Sequence, residues 1–209
     1  ISIGSLDGCS PSPGGGTTYY DTARQPTDFF IKPDGTKIYV LSADNYGIYQ
    51  YSLPIIWDIS DAPANYDNKM NSISGQTVTP KSIFFKPDGT KMYLLGTGTN
   101  NPLYYYTLTT AWDISTLTYN GVTQLGNMGN FQDIFFKPDG TKMYTVSSNE
   151  KVHEFTLTTA WNAAGIIYNG ASPTLTYTTS PGITPSGLFF KPDGTKMYVK
   201  GTYGFFGEY

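Results

Sequence analysis

The chain has 209 residues, with 13 Lys and Arg against 16 Asp and Glu for a net charge of −3, and only 14% of its residues are charged, where an average soluble domain has about 25%. Its 23 Gly and 16% aromatic residues suit many short strands and tight turns, which argues against a helical bundle. The charge balance leaves no surplus of cations for a nucleic-acid partner. No run of about 18 apolar residues exists to insert into a membrane.

In chain order, residues 1–16 read as an N-terminal extension, with the Gly-, Ser- and Pro-rich stretch 8–16 as a linker. The chain starts at Ile1 without a signal-like apolar region, as expected of a processed product or a fragment. Cys9 stands alone, so neither an internal disulfide nor a thiolate zinc site can be built.

Residues 17–209 are organised by a repeat. Phe30-Ile31-Lys32-Pro33-Asp34-Gly35-Thr36-Lys37 recurs as Phe84 to Lys91, Phe135 to Lys142 and Phe189 to Lys196. The repeats are centred on Asp34, Asp88, Asp139 and Asp193, at steps of 54, 51 and 54 residues. Each unit predicts a four-stranded meander. A strand such as Ile83-Phe84-Phe85 enters a tight Pro-Asp-Gly turn, where Gly35, Gly89, Gly140 and Gly194 accept positive φ and the Asp side chains cap the backbone. A second strand (Lys91-Met92-Tyr93-Leu94-Leu95) and a third follow, the third at Ile48 to Tyr51, Leu103 to Tyr106, Val152 to Phe155 and Phe206 to Tyr209. A connector, Thr109-Thr110-Ala111-Trp112-Asp113-Ile114-Ser115, with counterparts at Trp57 and Trp161, leads to a weaker fourth strand near Gly121 to Leu125.

One such unit cannot bury both faces of its sheet, so neighbours must stack around an axis. The expected fold is all-β, a β-propeller of four four-stranded antiparallel blades. The last unit stops after its third strand, and Thr17 to Asp21 resembles a fourth strand, so the N-terminal strand is expected to complete the last blade and close the ring. Two chains sharing an eight-bladed ring, or a piece of a longer propeller, are the alternatives.

The phrase Phe-Lys-Pro-Asp-Gly-Thr-Lys-Met-Tyr-Val resembles the YVTN/TolB-type β-propeller repeat, and the unit with its Thr-Thr-Ala-Trp-Asp-Ile-Ser connector is similar to repeats of phage and bacterial surface proteins. The resemblance covers nearly the whole chain and implies the propeller fold. It leaves function open, because such propellers include lactonases, dehydrogenases, lectins and scaffolds.

Candidate sites follow from the phase of the repeat. The inner strands begin at Asp28, Ser82, Asp133 and Gly187, and the two carboxylates are the candidates for a channel cation. Loops between second and third strands offer Asp44, Asn45, Tyr46, Asn100, Asn101, Asn149 and Tyr203, a mixture suited to stacking on and hydrogen-bonding a sugar. The turns hold eight of the 13 basic residues and four of the 16 acids, a surplus of +4 there and −7 elsewhere, which gives either a basic rim for an anionic partner or solubilising lysines. The only histidine, His153, falls mid-strand and away from the axis, and no nucleophilic triad or phosphate loop is apparent. Trp57, Trp112 and Trp161 recur in phase as blade-to-blade packing residues.

These features favour a non-enzymatic binding or assembly module on a cell surface, outside a cell or on a virion, recognising a glycan or a protein surface, with residues 1–16 as an arm for homo-oligomeric assembly. A propeller hydrolase or lactonase with a channel metal, and a purely structural filament or tail subunit, are the alternatives.

Overall fold

A computed structural model describes residues 25–60, 66–73, 75, 79–175 and 184–209. The extension 1–16, Cys9 and the expected closing strand at residues 17–22 lie outside them. The first blade is β1 (Pro26–Ile31), β2 (Lys37–Ser42), β3 (Gly47–Ser52) and β4 (Tyr66–Ser72), paired in that order. The second is β5 (Pro80–Phe85), β6 (Lys91–Gly96), β7 (Pro102–Leu108) and β8 (Leu117–Gln124). The third is β9 (Phe131–Phe136), β10 (Lys142–Ser147), β11 (Lys151–Leu157) and β12 (Ile166–Ala171). The fourth has three described strands, β13 (Pro185–Phe190), β14 (Met197–Gly201) and β15 (Phe206–Glu208). All pairings are antiparallel, and the chain is a four-bladed β-propeller. Among the described residues no helix is long and apolar enough to cross a membrane.

The turns form for the reason their sequence suggests. Gly35, Gly89, Gly140 and Gly194 all sit at φ between 71° and 73°, a region costly for any residue with a Cβ. In each turn an Asp Oδ1 accepts from the backbone N–H and the hydroxyl of the Thr two residues on, as for Asp88 with Thr90 at 3.0 and 2.6 Å. Of the two readings of the turn lysines, their surroundings favour the solubilising one. Lys32, Lys86, Lys137 and Lys191 each pair with the Asp of their own turn at 2.5–2.6 Å. Lys37, Lys142 and Lys196 pair with Asp67, Glu154 and Glu208, and Lys91 donates to the Trp161 carbonyl. Seven of these eight lysines face a carboxylate, which leaves little uncompensated positive charge on the turn face.

The core lies between blades. The first strands carry Phe30, Phe84, Phe135 and Phe189, and successive rings meet edge to face with centroids 5.5, 5.8 and 5.7 Å apart, the arrangement that aromatic quadrupoles favour. Each connector adds an indole to this. Trp112 of the second blade lies against Phe85 of its own blade and Phe30 and Tyr39 of the first. Trp161 repeats the packing on Phe136, Phe84 and Tyr93. The preceding blade's tyrosine hydroxyl donates to the Trp carbonyl at 2.7 Å in both cases. All three tryptophans adopt φ of 61–66°, a strained conformation that the packing of Trp112 and Trp161 helps to hold. Trp112 and Trp161 are therefore blade-to-blade packing residues, as expected, whereas Trp57 covers only Gly35 of its own turn. Trp57 and Phe189, at the first- and fourth-blade ends of this series, remain 58% and 54% exposed.

Candidate functional site

Every first strand opens with a register shift one residue after its start, at Asp28, Ser82, Asp133 and Gly187. A bulge of this kind re-aims the side chain that follows it, and here it turns Asp28, Ser82 and Asp133 toward the next blade. Asp28 Oδ2 accepts from the Ile83 N–H of the second blade at 2.8 Å, while Oδ1 accepts from its neighbour Phe29. Ser82 accepts from Ile134 N–H of the third blade at 3.3 Å and donates to Asp133 Oδ1 at 2.5 Å. Asp133 Oδ2 accepts from Leu188 N–H of the fourth blade at 2.7 Å. The three side chains form a relay across the blades, and the series ends at Gly187, which has no side chain to extend.

The relay brings two carboxylates together around one hydroxyl, since Ser82 also reaches the Asp28 carboxylate. Burial is the main force on both. It pushes Asp28 up to about 6, against the hydrogen bonds from Ile83, Ser82 and Phe29 and the nearby charge of Lys200, which pull it down. Burial together with the Asp28 charge pushes Asp133 up to about 7. Two carboxylates held at unequal affinity for protons near neutrality are the groups from which a general base and a general acid are made. For the expected channel cation the donors fall short. An oxygen-liganded cation wants about six to eight ligands, and among the described residues no three His, Cys, Asp or Glu side chains gather as a metal site.

The loop residues divide. Asn101, 3% exposed, donates to the Gly126 and Gly129 carbonyls at 2.8 Å and accepts from Phe131 N–H at 3.0 Å. Asn149 donates to the Met128 carbonyl and accepts from Ser147, and Asn45 donates to the Tyr49 hydroxyl. Tyr46 packs on the core shared by the first two blades. These four fasten loops. Asp44, Asn100 and Tyr203 are exposed, Tyr203 to 95% with φ of 58°. They occupy loops at the strand ends where β1, β5 and β13 begin, so they flank the axial mouth that holds Asp28 and Asp133. His153 is 2% exposed and held between Ser147 and Tyr168, with its proton affinity lowered by burial, so it packs the third blade.

Ser82, Lys200 and Gly187 complete the axial surroundings and were not among the candidates. Ser82 and Gly187 share the phase of the aspartates, which is the signal that could have found them. Nothing in the repeat marks Lys200.

No family model and no curated protein matches the chain. Solved structures do. A protein from Lactobacillus plantarum superposes with a TM-score of 0.59 at 12% identity over 88% of this chain and 56% of its own. A 6-phosphogluconolactonase candidate from Bacteroides uniformis gives 0.57 at 15%, over 88% and 53%. The periplasmic gluconolactonase of Pseudomonas aeruginosa gives 0.55 at 14%, over 86% and 47%. The chain thus spans about half the length of these structures, and at such identities the likeness is one of fold.

Proposed function

We propose that the axial mouth is a hydrolytic site acting on a lactone or similar ester of a small hydroxylated acid. The observation that carries this reading is the Asp28–Ser82–Asp133 cluster, two carboxylates with elevated and unequal proton affinity at the loop-bearing end of the propeller axis. In this scheme ionised Asp28 takes a proton from water as its oxygen attacks the carbonyl carbon. Protonated Asp133 gives its proton to the leaving ring oxygen as the carbon–oxygen bond breaks, and Ser82 holds the two acids in register. The presence of gluconolactonase-type propellers among the structural relatives adds weight.

Hydrolysis of sugar-acid lactones, followed by proton release, tests it. With Asp28 near 6 and Asp133 near 7, the active form has the first ionised and the second protonated, so kcat/KM should peak between pH 6 and 7 and fall on both sides. Asp133→Asn, which keeps a hydrogen-bonding side chain but cannot donate that proton, should lower kcat by about 100-fold or more. Folded protein that hydrolyses no lactone across a panel rules the reading out.

A second reading, a glycan- or protein-binding module displayed on a surface, draws on the exposure of Tyr203, Asp44 and Asn100. The YVTN/TolB-type resemblance and the likeness to phage and bacterial surface repeats belong with it. A glycan array separates the two: binding lost on Tyr203→Ala, with no lactone turnover, favours this second reading.

A further inference from the structure

The dipeptide Asn-Gly occurs twice in the chain, at Asn120-Gly121 and at Asn169-Gly170. Each falls on the last strand of its blade, β8 and β12, which pairs with a neighbour on one side only. In both, the asparagine is the extra residue of a bulge. Tyr119 faces Tyr106 and Gly121 faces Tyr105, while Tyr168 faces Phe155 and Gly170 faces Glu154, so neither asparagine has a cross-strand partner. Both asparagines are exposed, and the two glycines take φ of 154° and 141°. The local backbone is thus alike at the two sites.

Their side-chain surroundings differ. Asn169 donates to the Glu154 carboxylate at 2.8 Å and to the Thr156 hydroxyl at 2.7 Å, and Glu154 is fixed in turn by Lys142 at 2.6 Å. In the second blade Tyr105 stands where Glu154 stands in the third, and its hydroxyl lies 2.5 Å from where a Cβ on Gly121 would be. A phenol thus takes the place of the carboxylate, and the Asn120 side chain has no hydrogen-bond partner among the described residues.

We propose that Asn120 is a site of covalent self-modification, losing its side-chain amide to attack by the backbone nitrogen of Gly121, and that the Glu154 and Thr156 tethers protect Asn169 from the same reaction. The Gly121 nitrogen forms a bond to Asn120 Cγ as its proton leaves to a base in solvent. The Cγ–Nδ2 bond breaks, and that nitrogen takes up a proton and departs as ammonia. The five-membered imide so formed adds one water, which opens either of its carbonyls to leave an aspartyl or an isoaspartyl residue at position 120. Water is the only co-reactant, and nothing is oxidised or reduced. Glycine permits the attack because it has no Cβ to obstruct the approach. Reaching the attacking geometry takes a local opening of the edge strand, and at position 169 that opening must also break two side-chain hydrogen bonds, one of them to a charged group. The product puts a negative charge on the rim beside Tyr119, and its isoaspartyl form lengthens the backbone of β8 by one atom.

The test is incubation of the whole chain in mildly alkaline buffer, followed by proteolysis and peptide mass spectrometry, with fragmentation to locate each change. Conversion at Asn120, seen as a gain of about 1 Da and as two chromatographic products, is expected at least tenfold faster than at Asn169. Synthetic peptides spanning the two sites should react at similar rates. Exchanging the surroundings should exchange the behaviour: Tyr105→Glu slows Asn120 several-fold, and Glu154→Tyr brings Asn169 toward the Asn120 rate. Thr156→Ala removes one tether and leaves the charge in place, so it should speed Asn169 a few-fold. It serves where either exchange does not fold, with thermal melts confirming the fold of each variant tested. Equal rates at the two sites in folded protein overturn the proposal, as does an Asn120 that stays intact while its peptide reacts. A faster Asn120 whose lead over Asn169 is unmoved by any of these substitutions overturns the role given to the tethers.

Discussion

Trp57, Trp112 and Trp161 share a sequence context and differ in what surrounds them, so they should differ in what they contribute. Trp161 is 8% exposed and Trp112 lies among Phe30, Tyr39 and Phe85, whereas Trp57 is 58% exposed. Replacing Trp112 or Trp161 by Ala should cost about 3–5 kcal/mol, and replacing Trp57 about 1 kcal/mol or less, as read from chemical denaturation. The recurrence of these tryptophans is plain in the sequence, because a repeat exposes its own phase. Their left-handed backbone is not, since nothing in Thr-Thr-Ala-Trp indicates a φ near +60°; at Trp112 and Trp161 ring contacts from a different blade help to hold it. The same limit applies to the aspartates. Their place at the head of the inner strand follows from the spacing of the Pro-Asp-Gly turns. That they reach across to backbone N–H groups of the following blade follows from a bulge that sequence pattern does not reveal.

Among elements, the Pro-Asp-Gly hairpin is the most legible, because its turn chemistry is local: Asp caps Thr, Gly takes positive φ, and the strands on either side alternate. Its glycines nevertheless carry two burdens, which substitution can separate. Gly140→Ala meets both the unfavourable φ of 71° and the Trp161 ring, whereas Gly194→Ala meets only its φ of 73°. Backbone strain alone costs on the order of 1 kcal/mol, so thermal melts should place Gly194→Ala close to that figure and Gly140→Ala well beyond it, by about 2 kcal/mol or more. The loops between second and third strands were less legible. Asn101 and Asn149 read as ligand-binding amides because amides serve equally well to hold loops, and only the position of the Gly126, Gly129 and Met128 carbonyls decides between the two uses.

For the molecule as a whole, the axial carboxylates set an unusual dependence of stability on pH. Both have folded-state values above those of an unfolded chain, near 6 and 7 against about 3.8. Their protonated forms therefore favour the folded state fully below about pH 3.8, and that contribution is lost as pH rises through 6 to 7. His153, depressed by burial, works in the opposite sense and gives back stability as pH climbs toward its unfolded value of about 6.5, with no further gain above it. The exposed turn aspartates, held low by their lysines, act only in acid. Stability of wild type measured from pH 5 to 8 should hence decline relative to the Asp28→Asn/Asp133→Asn double variant, by on the order of 1–3 kcal/mol across the window. A constant difference between the two across that range would mean that the pair is not buried as described.

The absence of a side chain at Gly187 has a further consequence. Three of the four inner strands present a group that spans to the following blade, whereas at the fourth the Lys200 side chain lies 3.2 Å from where a methyl would begin, with Asp133 Oδ2 3.9 Å away. The glycine thus makes room for the stem of the one lysine whose charge reaches Asp28. A methyl at Gly187 would press on that stem, so a position without a side chain of its own governs where the counter-charge of the axial carboxylates can stand.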